Sequence, residues 1–331
     1  MSTPQQPQLL ASCWTSAGDV MPARGPDHSP LPIRTRIEAV AAAGYVGFGL
    51  TRPDLVRGRD SIGLGTLTEM LRDNGIRYLQ LEWLTDWWTS GAARAASDRV
   101  RADLFEAAPI LGVDHIKVGA DDDGVPVGYE VLCEGFDLLA DDAKSAGVRI
   151  AFENTPFTHH VKTTEDAVAF VTAVGNPNGG LLLDIWHAYR GGTPYATLPA
   201  LVPPEIVFGV ELDDGRAEVV GTDLEDTFDN RLPCGAGVFD VPAFINAVLA
   251  IGWDGPWGIE HMSRDFRRLP VLDALTRARD AALHCFDLAA QRRNEDPPAA
   301  SGARVTPCCV GSPPEWPTST GRHRASRRGS E

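Results

Sequence analysis

Eight short apolar or β-branched segments recur along the first 290 or so residues, separated by longer segments with the hydrophobic spacing of a helix. The eight segments, each interpreted as a buried strand, are residues 9–14, 46–50, 77–84, 115–119, 149–154, 181–186, 206–212 and 257–262. Several intervening helical segments end in glycine, as at Gly44, Gly75 and Gly147, a residue that tolerates the left-handed backbone found just past a helix. Strict alternation of this kind is typical of parallel strands joined by crossover helices.

Eight strand–helix units in a chain of this length favour a closed barrel. The alternative is an open, doubly wound sheet, which usually carries a glycine-rich phosphate loop after an early strand. The chain has no GxGxxG, Walker, GxSxG or HExxH pattern, and the pairs Gly47–Gly49 and Gly63–Gly65 lack a third glycine. We therefore predict an α/β fold, a (β/α)8 TIM barrel, as a single domain over residues 8–293.

The last segment of the chain differs in composition from the rest. Residues 294–331 are rich in Pro, Ser, Gly and Arg and have no hydrophobic periodicity. A segment of this kind buries too little apolar surface to offset the entropy of ordering it. We predict a disordered tail over residues 294–331.

The charge balance restricts the partners. The chain has 30 Lys and Arg against 45 Asp and Glu, a net charge of −15, whereas nucleic acids and anionic membranes bind clustered positive charge. No segment reaches the roughly 20 apolar residues of a membrane span, and the start of the chain lacks a signal-peptide pattern. The six cysteines are scattered and form no CxxC pair. We expect a cytoplasmic protein that binds a small molecule rather than nucleic acid or a membrane.

One carboxylate interrupts each of the last four strands near its carboxyl end. These are Glu153 in IAFENTPF, Asp184 in LLLDIWHAYRGG, Glu211 in VFGVELDDG and Glu260 in WGIEH. The carboxyl ends of the strands form the floor of the active site in a parallel barrel. A single such residue is often only a surface residue, but four on consecutive strands predict one site.

Four carboxylates packed together repel one another unless a cation lies between them. A hard, all-oxygen set of ligands favours Mn²⁺ or Mg²⁺ over Zn²⁺. The alternative is that Lys117, Arg216 or Arg231 neutralises the cluster without a metal.

The order of these motifs resembles a known family. Glu in FEN, Asp-x-x-His in DIWH, a polar residue on strand seven and Glu on strand eight are similar to the xylose-isomerase-like TIM barrels, and within them to the sugar phosphate isomerase/epimerase family. The resemblance covers about residues 8–290. It implies one divalent ion, most often Mn²⁺ with Mg²⁺ or Co²⁺ as alternatives, held by Glu153, Asp184, Glu211 and Glu260. It also implies that Glu153 and Glu260 form the acid/base pair and that His187 contacts the substrate.

The strand-seven position departs from the family pattern. Many members have histidine there and related dehydratases have glutamine, whereas this chain has Glu211. A carboxylate makes the site harder and moves the metal preference further from zinc. Two alternatives remain open: Glu211 does not bind the metal, or Asp213 or Asp214 takes its place.

Four further residues are candidates for substrate binding. Glu82 and Lys117 end strands three and four, Trp14 ends strand one, and Arg231 lies in the long loop before strand eight. An indole stacks well on the apolar face of a sugar or cyclitol ring, and the charged groups suit hydroxyl or anionic groups. For each the alternative is structural: a salt bridge at the barrel rim, aromatic packing, or an ordinary loop arginine.

These features predict a divalent-metal-dependent isomerase or epimerase of a sugar, cyclitol or related polyhydroxy ketone. A carboxylate removes the hydrogen next to the carbonyl, a metal-stabilised enediolate forms, and a second carboxylate returns the proton. The first alternative is a metal-dependent dehydratase of the inosose or 3-dehydroshikimate type, in which a β-hydroxyl departs. The second is a catalytically inactive barrel that acts as a binding or partner subunit. The family resemblance implies a homodimer or tetramer, and nothing in the sequence sets the number of subunits.

Overall fold

The computed structural model describes residues 6–25, 27–120 and 127–295, in which eight parallel strands close into a barrel in chain order. The strands are β1 Leu9–Ala11, β2 Gly47–Thr51, β3 Tyr78–Leu84, β4 His115–Val118, β5 Arg149–Phe152, β6 Gly179–Asp184, β7 Val207–Leu212 and β8 Trp257–Ile259. Leu10 lies opposite Gly258, so β8 pairs with β1 and closes the barrel. The predicted (β/α)8 TIM barrel is confirmed, and the doubly wound sheet is wrong.

Helices connect the strands and surround the barrel. They are α1 Cys13–Ser16, α2 Ile33–Ala42, α3 Arg52–Ile62, α4 Leu64–Asp73, α5 Gly91–Leu111, α6 Tyr129–Ser145, α7 Thr164–Val174, α8 Ile185–Arg190, α9 Leu198–Leu201, α10 Asp223–Asp229, α11 Val241–Ile251 and α12 Val271–Glu295. Polar caps set several of the starts: at the beginning of α7 the Thr163 hydroxyl accepts from the Asp166 amide and the Asp166 carboxylate accepts from the Thr163 amide, which satisfies amides that the first helical turn leaves free. Gly175 ends the same helix in the left-handed conformation.

The end of β1 differs from the sequence-based expectation. Trp14 was expected to end strand one, but β1 stops at Ala11 and Trp14 lies in the short helix α1. The Ser12 amide and the Thr15 hydroxyl both donate to the carbonyl of Ile259, and the His261 amide donates to Thr15 Oγ1. These bonds satisfy backbone groups at the end of β8 at the point where the chain leaves β1 and enters α1.

That turn depends on a glycine in the neighbouring strand. A Cβ atom at Gly49 would lie 2.4 Å from the backbone nitrogen of Cys13, so only glycine lets β2 approach this segment so closely. The approach directs the Ser12 hydroxyl into the barrel, where it reaches Glu211 at 2.6 Å. The close packing at Gly49 thus positions the Ser12 hydroxyl inside the barrel.

The boundary predicted between the barrel and the tail falls inside the last helix. Helix α12 continues to Glu295, so Asn294 and Glu295 belong to it, and the rest of the predicted tail lies outside the described residues. In the described ranges, no helix is both long enough and apolar enough to cross a membrane.

We expect Gly49→Ala to lower the free energy of unfolding by about 2 kcal/mol or more, because a well-packed site must move backbone to admit the methyl group. Gly65, exposed within α4 with no atom near the position of a Cβ, is the matched control. Gly65→Ala should raise the same free energy by about 0.5–1 kcal/mol. Urea unfolding of both variants measures the two free energies of unfolding. Equal values for Gly49→Ala and Gly65→Ala would contradict the close approach of β2 to Cys13.

Candidate active site

Six buried carboxylates and two buried cations meet at the carboxyl end of the barrel. The carboxylates, none more than 5% exposed, are Glu82, Glu153, Asp184, Glu211, Asp213 and Glu260. The cations are Lys117 of β4 and Arg231, which follows α10, each 1% exposed. The four carboxylates predicted from the strand ends each bring an oxygen within 4.8 Å of the others. The barrel therefore gathers the predicted residues into one cluster.

The Lys117 ammonium lies among four of these carboxylates. Its Nζ is 2.7 Å from Glu211 Oε2, 2.7 Å from Glu260 Oε1, 3.1 Å from Glu82 Oε2 and 3.5 Å from Glu153 Oε1. Burial alone would lower the pKa of Lys117, but the surrounding carboxylates hold it well above its usual value. Lys117 is therefore a permanent cation at the centre of the cluster.

Arg231 neutralises the other side of the cluster. Its guanidinium is 3.0 Å from Asp184 Oδ2 and 3.0 Å from Glu260 Oε2, and it also pairs with Asp213. Glu260 thus carries a cationic donor on each oxygen, Lys117 on one and Arg231 on the other. Arg216, the third cation considered from the sequence, is exposed.

The charges of the cluster remain unbalanced after both cations are counted. Two cations against six carboxylates leave four negative charges if every group is ionised, and burial raises the pKa of Glu82 to about 7 and that of Glu153 well above its usual value. Glu153 Oε1 accepts no hydrogen bond from the described residues, and Lys117 Nζ lies 3.5 Å from it. Excess buried carboxylate charge with such an oxygen is a donor set that suits a divalent cation.

The DIWH motif sets the positions of two site residues at once. Asp184 is the N-cap of α8 and its Oδ1 accepts from the Trp186 amide at 2.8 Å, which leaves Oδ2 facing the cluster. One turn of helix then brings His187 Nε2 to 3.6 Å from Asp184 Oδ2 and 4.0 Å from Glu153 Oε1. Burial, reinforced by the charge of Arg231, lowers the pKa of His187 well below its usual value. His187 is therefore a neutral imidazole beside two carboxylates.

Glu211 is the most enclosed of the six carboxylates. Its Oε1 accepts from Ser12 Oγ at 2.6 Å and Gln80 Nε2 at 3.1 Å, and its Oε2 accepts from Lys117 Nζ at 2.7 Å. A Cβ at position 258 would lie 2.6 Å from Glu211 Cγ, so Gly258 makes room for this side chain. The sequence reasoning missed Ser12 and Gln80. The alternation of side chains along a strand could have identified Gln80, because it lies two residues before Glu82 and therefore points to the same face of the sheet.

A cavity opens above the cluster. The polar residues that line it include the predicted acid/base pair, Glu153 and Glu260. They also include the predicted substrate-binding residues Glu82, Lys117, His187 and Arg231. Its apolar side chains are Trp14, Pro22, Trp83, Phe157, Leu224, Phe228 and Met262. Asp184 and Glu211 are not among the lining residues and lie behind this surface. The cavity combines a charged floor with an apolar rim.

Asp229 ties together the loops around the mouth of the cavity. Its carboxylate accepts from Arg24 at 2.6 Å, Arg267 at 2.7 Å and Arg264 at 3.0 Å. These partners come from the loops after β1 and β8, whereas Asp229 itself ends α10, which follows β7. Burial would raise the pKa of Asp229, but the hydrogen bonds from Arg267, Arg24 and Arg264 lower it to about 2.

Comparison with known proteins relates this geometry to characterised relatives. Residues 37–286 match the sequence model described as xylose isomerase-like TIM barrel. A 3-dehydroshikimate dehydratase of Pseudomonas aeruginosa is 30% identical over 243 residues, which cover 71% of this chain and 37% of the dehydratase. An inosose isomerase of Bacillus velezensis is 30% identical over 155 residues, 46% of this chain and 51% of the isomerase. The chain thus matches little more than a third of the dehydratase's length and about half of the isomerase's.

The fold has counterparts among solved structures. The IOLI protein, whose crystal structure contains a zinc atom, superposes with a TM-score of 0.72 over 85% of this chain and 99% of that protein. The two sequences are 19% identical, so the likeness is one of fold.

We expect Asp229→Asn to lower the free energy of unfolding at pH 7 by on the order of 2 kcal/mol, because three charged hydrogen bonds lose their anion. A carboxylate whose pKa is depressed from its ordinary 3.8 to about 2 contributes stability above pH 4 that is lost as the pH falls toward 2. The difference between wild type and variant should therefore shrink over that range. Thermal unfolding from pH 7 to 3 measures it.

The control for this prediction is Asp73→Asn, which removes a carboxylate paired with Arg72 where both side chains are about two-thirds exposed. Exposed pairs contribute little, so this variant should match wild type at every pH. A constant difference between wild type and Asp229→Asn from pH 7 to 3 would contradict the depressed pKa.

Proposed function

Since the chain belongs to the xylose isomerase-like TIM barrel family, we propose that it is a divalent-metal-dependent isomerase or epimerase of a sugar, cyclitol or related polyhydroxy ketone. The observation that carries the proposal is Glu153: a carboxylate 5% exposed, at the wall of the cavity, with an oxygen that accepts no hydrogen bond from the described residues and has the Lys117 ammonium 3.5 Å away. Burial raises the pKa of this carboxylate, which makes it a stronger base toward a substrate in that cavity.

Glu153 and Glu260 divide the proton transfer between them. Glu153 takes the hydrogen from the carbon next to the substrate carbonyl, because it is a carboxylate that lines the cavity. Glu260, which also lines the cavity, returns a proton to the intermediate, so that Glu260 enters the reaction protonated and Glu153 leaves it protonated. Removal at one carbon and return to the same or the neighbouring carbon gives epimerisation or isomerisation.

Other residues of the cavity bind and orient the substrate. The neutral imidazole of His187 and the charged groups of Glu82 and Arg231 line the floor, where they hydrogen-bond substrate hydroxyl or carbonyl oxygens. The Trp14 and Trp83 indoles belong to the apolar rim, which packs on the ring face of the substrate and excludes water.

A divalent ion fits among these carboxylates, with Glu153 and Asp184 common to both groups of side chains that could hold it. When bound, the ion supplies electrostatic stabilisation of the oxygen that becomes negative as the proton leaves. Oxygen ligands favour Mn²⁺, with Mg²⁺ or Co²⁺ as alternatives, and the zinc atom in the IOLI structure supports a divalent ion more generally.

A second candidate function is a metal-dependent dehydratase. The Pseudomonas aeruginosa relative that matches 71% of this chain is named a 3-dehydroshikimate dehydratase, and the same proton abstraction by Glu153 leads to loss of water when a β-hydroxyl is the leaving group. The two functions differ in their products, because dehydration creates a conjugated system that absorbs in the ultraviolet, whereas proton exchange conserves mass.

We expect Glu153→Gln to lower kcat about 10²–10⁴-fold, the usual contribution of a general base, with the circular dichroism spectrum unchanged. Deuterium uptake from D₂O into ketoses and inososes, followed by mass spectrometry, measures isomerase activity, and ultraviolet absorbance with 3-dehydroshikimate measures dehydration. Glu134→Gln, an exposed position on α6, is the control and should keep wild-type turnover. A fully active Glu153→Gln variant would remove Glu153 from the reaction.

We expect elemental mass spectrometry to find about one divalent ion per chain in the purified protein, because the cluster has excess negative charge. Asp184→Ala should lose this ion, since Asp184 belongs to both groups of candidate ligands. The exposed Asp73→Ala variant should keep it. An ion content in Asp184→Ala equal to that of wild type would show that the ion binds elsewhere.

A further inference from the structure

Two sets of side chains could hold the divalent ion, and they overlap only in part. Both contain Glu153 and Asp184; one adds Glu211 and Glu260, and the other adds His187. The hydrogen bonds around each residue discriminate between them. A carboxylate oxygen that already accepts from a cation has less charge to offer a metal, and the cation repels the ion.

The first set has little free ligand capacity. Both oxygens of Glu211 are occupied, by Ser12 and Gln80 on one side and Lys117 on the other. Glu260 has Lys117 on one oxygen and Arg231 on the other. An ion bound by these two residues would lie within a few ångströms of the Lys117 ammonium, which is 2.7 Å from each. Lys117 already supplies the positive charge that Glu211 and Glu260 require.

The second set is better suited to an ion. His187 Nε2 lies 3.6 Å from Asp184 Oδ2 and 4.0 Å from Glu153 Oε1, within the span of up to about 4.2 Å open to two ligands bonded at about 2.1 Å. Glu153 Oε1 accepts no hydrogen bond from the described residues, and Lys117 Nζ lies 3.5 Å from it, farther than from Glu211 and Glu260. Asp184 Oδ2 retains one donor, Arg231. His187 and Glu153 also line the cavity, so an ion there is open to substrate.

We infer that the divalent ion binds to Glu153, Asp184 and His187, while Lys117 acts as a fixed internal cation that neutralises Glu211 and Glu260. This inference rests on the metal dependence of the proposed function and specifies its ligands. It also changes the metal preference expected of the site, because one imidazole nitrogen replaces two carboxylates and makes the ligand set softer. The site should therefore accept Zn²⁺ and Co²⁺ as well as Mn²⁺.

The test is pulsed electron paramagnetic resonance of the wild-type protein loaded with Mn²⁺, which detects ¹⁴N coupled to the ion. We expect the coupling of one imidazole nitrogen in wild type and none in His187→Gln. Titration followed by the signal of free Mn²⁺ should give a Kd at least about tenfold higher in His187→Gln, and a Kd within about threefold of wild type in Glu211→Gln. His115→Gln, a buried histidine on β4 two residues before Lys117, is the matched control and should keep both the coupling and the Kd.

Each contrary result has a distinct meaning. Bound Mn²⁺ without nitrogen coupling in wild type, or a Glu211→Gln variant that loses the ion while His187→Gln keeps it, would overturn the inference in favour of the four-carboxylate set. Metal dependence would then still stand. If wild type binds no Mn²⁺, Zn²⁺ or Co²⁺, the inference and the metal-dependent function both fail. The measurement on wild type needs no variant, so it decides even if a substitution prevents folding.

Discussion

The buried ammonium of Lys117 is the interaction on which the rest of the site depends. It approaches Glu82, Glu153, Glu211 and Glu260, which come from or directly follow strands β3, β5, β7 and β8. A charge taken out of water is costly unless it is paired, and removing one partner of a buried pair leaves the other uncompensated. The four strands are thus linked electrostatically through β4, and the cluster constrains the geometry of the barrel end where the chemistry takes place.

Glycine residues make room for this polar interior. Gly258 leaves space for the Glu211 side chain, and Gly49 leaves space for the turn that brings Ser12 to the same carboxylate. Farther out, Asp229 fixes the loops at the mouth through three arginines. Two ion clusters therefore have separate tasks: the inner one sets the positions of the reacting groups, and the outer one sets the shape of the opening.

The glutamate at the strand-seven position explains why the site does not simply reproduce the family pattern. The Glu211 carboxylate on β7 and the Lys117 ammonium on β4 form an ion pair inside the barrel. This pairing leaves Glu153 and His187 lining the cavity, each with a buried atom that makes no hydrogen bond among the described residues. Isomerisation, epimerisation and dehydration all begin with removal of a proton next to a carbonyl. A single carboxylate base is therefore compatible with any of the three reactions, which differ in the fate of the intermediate.

By itself, the sequence determined the eight strand–helix units, the closed barrel and the convergence of Glu153, Asp184, Glu211 and Glu260, because hydrophobic period and strand ends are local properties that parallel topology brings together. It did not determine the end of β1, where Trp14 lies in a helix, since that depends on hydrogen bonds to the distant carbonyl of Ile259. Nor could spacing along the chain decide which cation meets which carboxylate. Only the tertiary structure placed Lys117 and Arg231, but not Arg216, among them, because ion pairing depends on distances across the barrel between residues far apart in the chain.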